Sequence, residues 1–146
     1  MENYDIIEKR IRKDVRMSGI FKKINSILVK DDVSEHFVRR IIQDKPVKIV
    51  RKGSADKIVG VWTADDEIND FFMKIVGKGK KLENGFVKMF LSVTDEELEK
   101  YCKINNIEFT RQDKDKAAQK FVDDVSLKHT DSKHKIIKSL QRLYTL

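Results

Sequence analysis

The run from Lys57 to Met73 passes without a break from a strand pattern into a helix pattern, and this juncture limits the fold more than any other part of the chain. Ile58, Val59, Val61 and Trp62 form a compact apolar run of strand length, too short to make a helix of its own. Thr63 can cap the following helix through its hydroxyl. Asp65, Asp66 and Glu67 then fill a first turn, where the helix dipole favours negative charge. Ile68, Phe71, Phe72, Ile75 and Val76 recur at three- and four-residue spacing and supply one apolar stripe. In open α/β sheets ligands sit at the carboxyl end of a strand, where the chain turns into a helix. The acid pair Asp65–Asp66 stands at that point. Acids in a first turn also follow from the dipole alone, so the pair is either a helix-start feature or part of a site.

Similar units lie on both sides. Residues Asn3 to Arg16 read as an amphipathic helix with Ile6, Ile7, Ile11 and Val15 on one face and Lys9, Arg10, Arg12, Lys13 and Arg16 around the rest, stopped by Gly19. That basic face is either a solvated surface or an RNA contact. Ile24 to Val29 follow as a central first strand. Phe37, Val38, Ile41 and Ile42 then mark a second helix, with Ser34 as its expected cap and His36 as an expected surface residue. The sole proline, Pro46, bounds a second strand over Val47–Val50. Further on, Phe86–Leu91 reads as a strand, Thr94 and Glu97 form a capping box, and Ile107–Phe109 reads as a last extended piece. Leu98, Tyr101 and Cys102 face inward on the intervening helix, which makes the cysteine a core residue with no triad-like histidine near it.

From Arg111 to Leu146 two helices are expected. The first carries Ala117, Ala118, Phe121, Val122 and Val125. The second is capped by Ser132 and carries Ile136, Ile137, Leu140, Leu143 and Tyr144, a stripe suited to the core or to a second subunit. His129 and His134 flank the basic turn between them, without a third ligand nearby for zinc. The regular alternation of strand and helix predicts an α/β, three-layer fold with a mainly parallel sheet flanked by helices, and with C-terminal helices.

At 146 residues one domain is expected, long enough to bury a proper core. A net charge of +7 favours a polyanionic partner such as nucleic acid, or serves solubility alone. The lone cysteine excludes a disulfide framework and a cysteine-rich metal site. No apolar run reaches spanning length and no secretory signal is visible, so the cytoplasm is the expected compartment and no membrane partner is foreseen.

Trp62-Thr63-Ala64-Asp65-Asp66-Glu67, with its preceding strand and following apolar helix, resembles the Gly-His-Asn-x-Asp-Asp segment of PP-loop ATP pyrophosphatases, in their tRNA-thiolation and tRNA-lysidine-forming branch. Gly77-Lys78-Gly79-Lys80-Lys81 stands in place of the family's basic, glycine-containing loop, and Phe90 to Phe109 is similar to the segment that follows it. The resemblance covers about residues 3 to 110 and implies a Rossmann-like, adenine nucleotide alpha hydrolase-like domain over residues 1–146, with a basic N-terminal helix (1–19) and a C-terminal helical segment (111–146). It departs from the family in three places. Val61-Trp62-Thr63 replaces Gly-His-Asn, a strand–helix unit and its paired cysteines are missing, and Lys30-Asp31-Asp32-Val33-Ser34-Glu35 replaces Ser-Gly-Gly-x-Asp-Ser. Without glycine the backbone cannot cheaply close its amides around a phosphate.

The resemblance therefore implies a degenerate relative of tRNA-modifying enzymes that keeps RNA, nucleotide or partner binding. The alternative is an active ATP-dependent tRNA-modifying enzyme with an atypical phosphate site, and a third reading is a small structural or dimerising protein. No catalytic and no metal-binding residue is expected. Candidate nucleotide-binding residues are Lys30, Asp31, Ser34, Thr63, Asp65 and Asp66. Candidate RNA-binding residues are Lys78, Lys80, Lys81, Lys133, Lys135, Lys138 and Arg142. By resemblance ATP and magnesium are the cofactors to test, and no zinc or iron–sulfur site is expected. The partners to test are tRNA or another nucleic acid, a tRNA-modification protein, and a second copy of the chain.

Overall fold

A computed structural model describes residues 2–43, 45–128 and 134–138. Ser132, Leu140, Leu143, Tyr144 and His129, and the candidate RNA contacts Lys133 and Arg142, lie outside the described residues, as do the side chains of Phe121, Val122 and Val125. The elements run α1 (Glu2–Ser18), β1 (Ser26–Val29), α2 (Asp32–Ile41), β2 (Lys48–Val50), β3 (Lys57–Val59), α3 (Ala64–Ile75), β4 (Phe86–Val87), α4 (Asp95–Ile104) and α5 (Lys116–Lys128). The described residues 134–138 are also helical.

The four strands form one sheet in the order β2-β1-β3-β4, and every pairing is parallel. Ile27 and Val29 of β1 and Val59 of β3 are fully buried, as expected of central parallel strands with helices on their faces. The chain leaves β1 for β2 on one side and returns to β3 on the other. This reversal puts a crevice between the carboxyl ends of β1 and β3.

Helix packing follows the sequence stripes with some corrections. In α1, Ile7, Ile11 and Val15 are buried, whereas Ile6 is 44% exposed. Gly19 ends the helix in the left-handed region at φ 64, and its N–H donates to the Val15 carbonyl. In α3, Ile68 is buried and Phe71 and Phe72 are half-buried, but Ile75 and Val76 are 67% and 63% exposed because the helix runs past the edge of its packing partners. Ile137 of the 134–138 stretch packs with Ala64 and Ile68, so this stretch lies against α3.

Both sequence-predicted caps on α3 and α4 are present as full capping boxes, Thr63 with Asp66 and Thr94 with Glu97. The cap of α2 is not Ser34. Asp31, at the extended N-cap position, accepts the Ser34 N–H, and Ser34 lies a turn inside with its hydroxyl fully buried and unpartnered. The strand expected over Phe86–Leu91 is reduced to Phe86–Val87 plus a single bridge from Phe90 to Thr63. Ile107–Phe109 form no strand; the chain there is irregular, and the Ile107 N–H turns back to the Cys102 carbonyl of α4. His36 is half-buried rather than on the surface, its Nε2 2.7 Å from the Tyr101 hydroxyl, which donates to Glu8.

Candidate functional site

The crevice at the strand reversal is a cleft of about 580 Å³. Lys30 and Asp31, just past β1, meet Gly60 and Val61, just past β3, and Lys80 and Lys81 arrive from the glycine–lysine loop. Residue types explain the tight seam between the two strand ends. A side chain at Gly60 would come within 3.1 Å of the Phe86 ring and 3.3 Å of the Lys30 stem.

The Asp31 carboxylate dominates this seam. One oxygen accepts the Ser34 N–H of α2 at 2.7 Å and the other accepts the Val61 N–H at 3.3 Å. A helix N-terminus at a strand end is where an anion is stabilised by backbone donors. Here a fixed side-chain carboxylate receives them. The cations at the rim are countered as well: Lys30 pairs with Glu83, and Arg51 binds Asp32 at 2.6 Å and Glu35 at 2.9 Å. The Arg51 hydrogen bond is the chief reason that Glu35 titrates below the usual glutamate range. The Lys80 ammonium donates to the Gln112 side chain and makes no ion pair among the described residues, while the Lys80 backbone N–H donates to the Asp70 carboxylate at 2.7 Å; Lys81 is exposed.

Thr63, Asp65 and Asp66 are held away from this rim, in a buried polar knot that ties the starts of α3 and α4 together. The Thr63 hydroxyl donates to Asp95 at 2.6 Å, the Asp95 N–H donates to Asp65 at 2.7 Å, and the Thr63 N–H donates to Asp66 at 2.9 Å. Lys114, its side chain only 8% exposed, bridges Asp66 at 3.0 Å and Asp95 at 2.7 Å. Burial raises Asp66 above the usual aspartate range, more than the Thr63 N–H and Lys114 lower it. Burial alone would lower Lys114, but its hydrogen bond to Asp95 and the charge of Asp66 outweigh it and the lysine is raised. The acid pair thus sits where two helix N-termini need carboxylates. Asp66 also borders a second, smaller cavity of about 250 Å³ with Lys78 and Lys80.

The structure therefore brings Lys30, Asp31, Lys80 and Lys81 to one cleft that Thr63, Asp65 and Asp66 do not line, while Asp66 and Lys80 share the smaller cavity beside it. Lys135 and Lys138 are elsewhere, on the exposed side of the 134–138 stretch, with Lys138 facing a groove beside α1 and β4. Sequence reasoning missed Arg51, Gln112 and Lys114. Gln112 donates to the Val61 carbonyl at 2.6 Å and closes one wall of the cleft. Both Gln112 and Lys114 come from the polar run Arg111–Lys116, where no apolar period marks an inward position. The Trp62 indole N–H, buried next to both cavities, has no acceptor.

Among the described residues no group of three or more histidine, cysteine or acidic side chains is placed to hold a metal ion, and no helix is long and apolar enough to cross a membrane. Cys102 is buried under α4, and burial, assisted by the charge of Asp31, pushes its thiol up to about 12.

Neither a protein-family model nor a curated protein matches the sequence. Among solved structures the chain is similar to the U34-tRNA thiolase NcsA from Methanococcus maripaludis, determined with its [4Fe-4S] cluster. The TM-score is 0.70 at 10% sequence identity, over 97% of this chain and 78% of that one. Iron–sulfur clusters are held by several cysteine thiolates, and this chain has one cysteine, buried as the thiol, so its residues do not fit such a cluster. Four parallel strands in this order, helices on the sheet and the likeness to the thiolase show that the chain has the α/β, Rossmann-like fold seen in that thiolase.

Proposed function

We propose that the chain is a non-catalytic relative of tRNA-modifying enzymes, one that binds RNA and does not cleave ATP. The observation that carries this reading is the Asp31 carboxylate, which takes the Ser34 and Val61 N–H donors at the strand reversal. Phosphate stabilisation in such a crevice depends on preorganised backbone donors facing the ligand. A resident negative charge both occupies those donors and repels a triphosphate. The exposed Lys78 and Lys81, the Lys80 ammonium with no ion pair among the described residues and the net charge of +7 support the RNA part, with tRNA as the first RNA to test because the similar structure is a tRNA thiolase.

A second reading is an active ATP-dependent enzyme that builds its phosphate site from side chains. It is favoured by the cleft volume of about 580 Å³, ample for a nucleotide, and by Lys30, Arg51, Lys80 and Lys81 on its walls. Titration calorimetry with magnesium–ATP, run beside a pyrophosphate-release assay with bulk tRNA, separates the two. The expected outcome is tRNA binding without pyrophosphate release. Release above background would overturn the non-catalytic reading in favour of the second.

A further inference from the structure

A second charged concavity lies at the other end of the sheet and shares no residue with the cleft. The turn from Gly19 to Asn25 leads into the amino end of β1, whereas Lys30 and Asp31 follow its carboxyl end. Beside that turn a groove of about 360 Å³ runs between the C-terminal ends of α1 and α2. Arg12, Arg16, Lys22 and Lys45 line it, together with the buried Val15 and Phe21. Among the described residues no carboxylate lines this groove. Arg16, Lys22 and Lys45 are exposed and make no ion pair among the described residues, and Arg12 donates only to the Arg40 carbonyl, which leaves its charge uncompensated. Lys9 and Lys13 continue the positive face along exposed α1.

Helix dipoles explain a cation in the last turn of α1. They do not explain Lys22 and Lys45, which stand outside both helices. The cleft shows what compensated charge looks like in this protein: Lys30 and Arg51 are each matched to acids. A protein partner would want exposed apolar or aromatic anchors at the centre of the patch, and here Val15 and Phe21 are 7% and 3% exposed and the third apolar lining residue, Ile41, is half-buried against the core. Unpaired cations around a groove without an apolar anchor fit a chain of phosphates.

We infer that the groove between the ends of α1 and α2 is a docking site for the phosphate backbone of an RNA strand. This rests on the RNA-binding reading above and adds a surface remote from the cleft. The test is fluorescence anisotropy with a labelled single-stranded RNA, between about 50 and 200 mM salt, the range over which counterion release is steep. Wild type is compared with two triple variants, Arg16→Ala/Lys22→Ala/Lys45→Ala in the groove and Lys78→Ala/Lys80→Ala/Lys81→Ala at the loop.

Each phosphate contact on a single strand contributes about 0.7 to the slope of log affinity against log salt, so losing three should lower the slope by about two. The groove variant is expected to show this and at least a tenfold weaker affinity, with a melting temperature like that of wild type because no ion pair is removed. If it does not fold, single Lys22→Glu and Lys45→Glu changes should each weaken binding and reduce the slope. If wild type binds and the groove variant keeps its slope and affinity, the groove alone is overturned. No binding by wild type would overturn the RNA reading and the groove with it. Displacement of the RNA by poly-glutamate at equal charge would assign the groove to an acidic protein, and equal displacement by duplex DNA would remove its assignment to RNA.

Discussion

Lys114 is the side chain on which the start of two helices depends, and its replacement by methionine makes a sharp test. The ammonium lies 3.0 Å from Asp66 and 2.7 Å from Asp95, and those carboxylates are 4% and 5% exposed. At an effective dielectric of about 20, each contact of this length corresponds to roughly 6 kcal/mol of attraction. Taking the three charges out of water returns much of that. The loss of one partner is nonetheless severe, about 3–5 kcal/mol, because carboxylates are left buried without a counterion. At about 3 °C per kcal/mol for a chain of this size, the melting temperature should fall by roughly 9–15 °C.

The pH dependence of Lys114→Met identifies the cause. Asp66 is already raised by burial, and in the variant it loses the lowering charge and hydrogen bond of Lys114 and rises further, so folding is penalised more while it is ionised. The penalty fades as pH falls through the raised value toward the ordinary aspartate range. Urea denaturation followed by the fluorescence of Trp62, the only tryptophan, should thus show a large deficit at pH 7 that shrinks toward pH 4–5. Adding Asp66→Asn to Lys114→Met should recover part of the loss, since the amide oxygen can still accept the Thr63 N–H. A deficit below about 1 kcal/mol at pH 7, or one that does not shrink with acid, would refute the account of the knot as a charge-paired helix junction.

Two further outcomes are expected. His36 is pushed below the usual histidine range, by burial first and then by the charge of Arg40, against the opposing charge of Glu8. The unfolded chain therefore takes up the proton first, and stability should decline as pH drops below 6.5 and level off under the folded pKa; chemical denaturation across that range should show a flatter profile for His36→Gln. Asp31→Ala removes the cap of α2 and leaves the Ser34 and Val61 N–H groups without their acceptor, so the urea midpoint should shift by the equivalent of about 1–2 kcal/mol; a neutral result would mean that the carboxylate is not holding that seam.

The elements themselves were legible because their signals are local. Thr63 and Thr94 each stand three residues ahead of an acid that can reciprocate, and both boxes form. The apolar run Ile58–Trp62 and the periodic stripes around it require a parallel sheet with helices. Misreadings fell where two local signals competed. Ser34 and Asp31 are both good capping residues, and the extended backbone at Asp31 decides between them. Phe86–Leu91 has the composition of a longer strand, yet the chain pairs only at Phe86–Val87 and again at Phe90.

The site was legible only in part. Absence of glycine between Lys30 and His36, and the arrival of a lysine-rich loop, could be read directly, since both are properties of composition. What the acids do there could not. A pair of aspartates in a first turn looks the same whether it faces a ligand or a neighbouring helix. Lys114, far along the chain in an aperiodic polar run, settles their environment by reaching Asp66 and Asp95 together. The same holds for the Val61 N–H that meets Asp31, and for the meeting of α1 and α2 that gathers Arg16, Lys22 and Lys45. By itself the sequence determined which segments are helix or strand and that no glycine follows the first strand, because propensity, capping, period and composition are properties of a few neighbouring residues. Only the tertiary structure decided which charges are neutralised and which remain open, because that depends on partners brought close from distant parts of the chain.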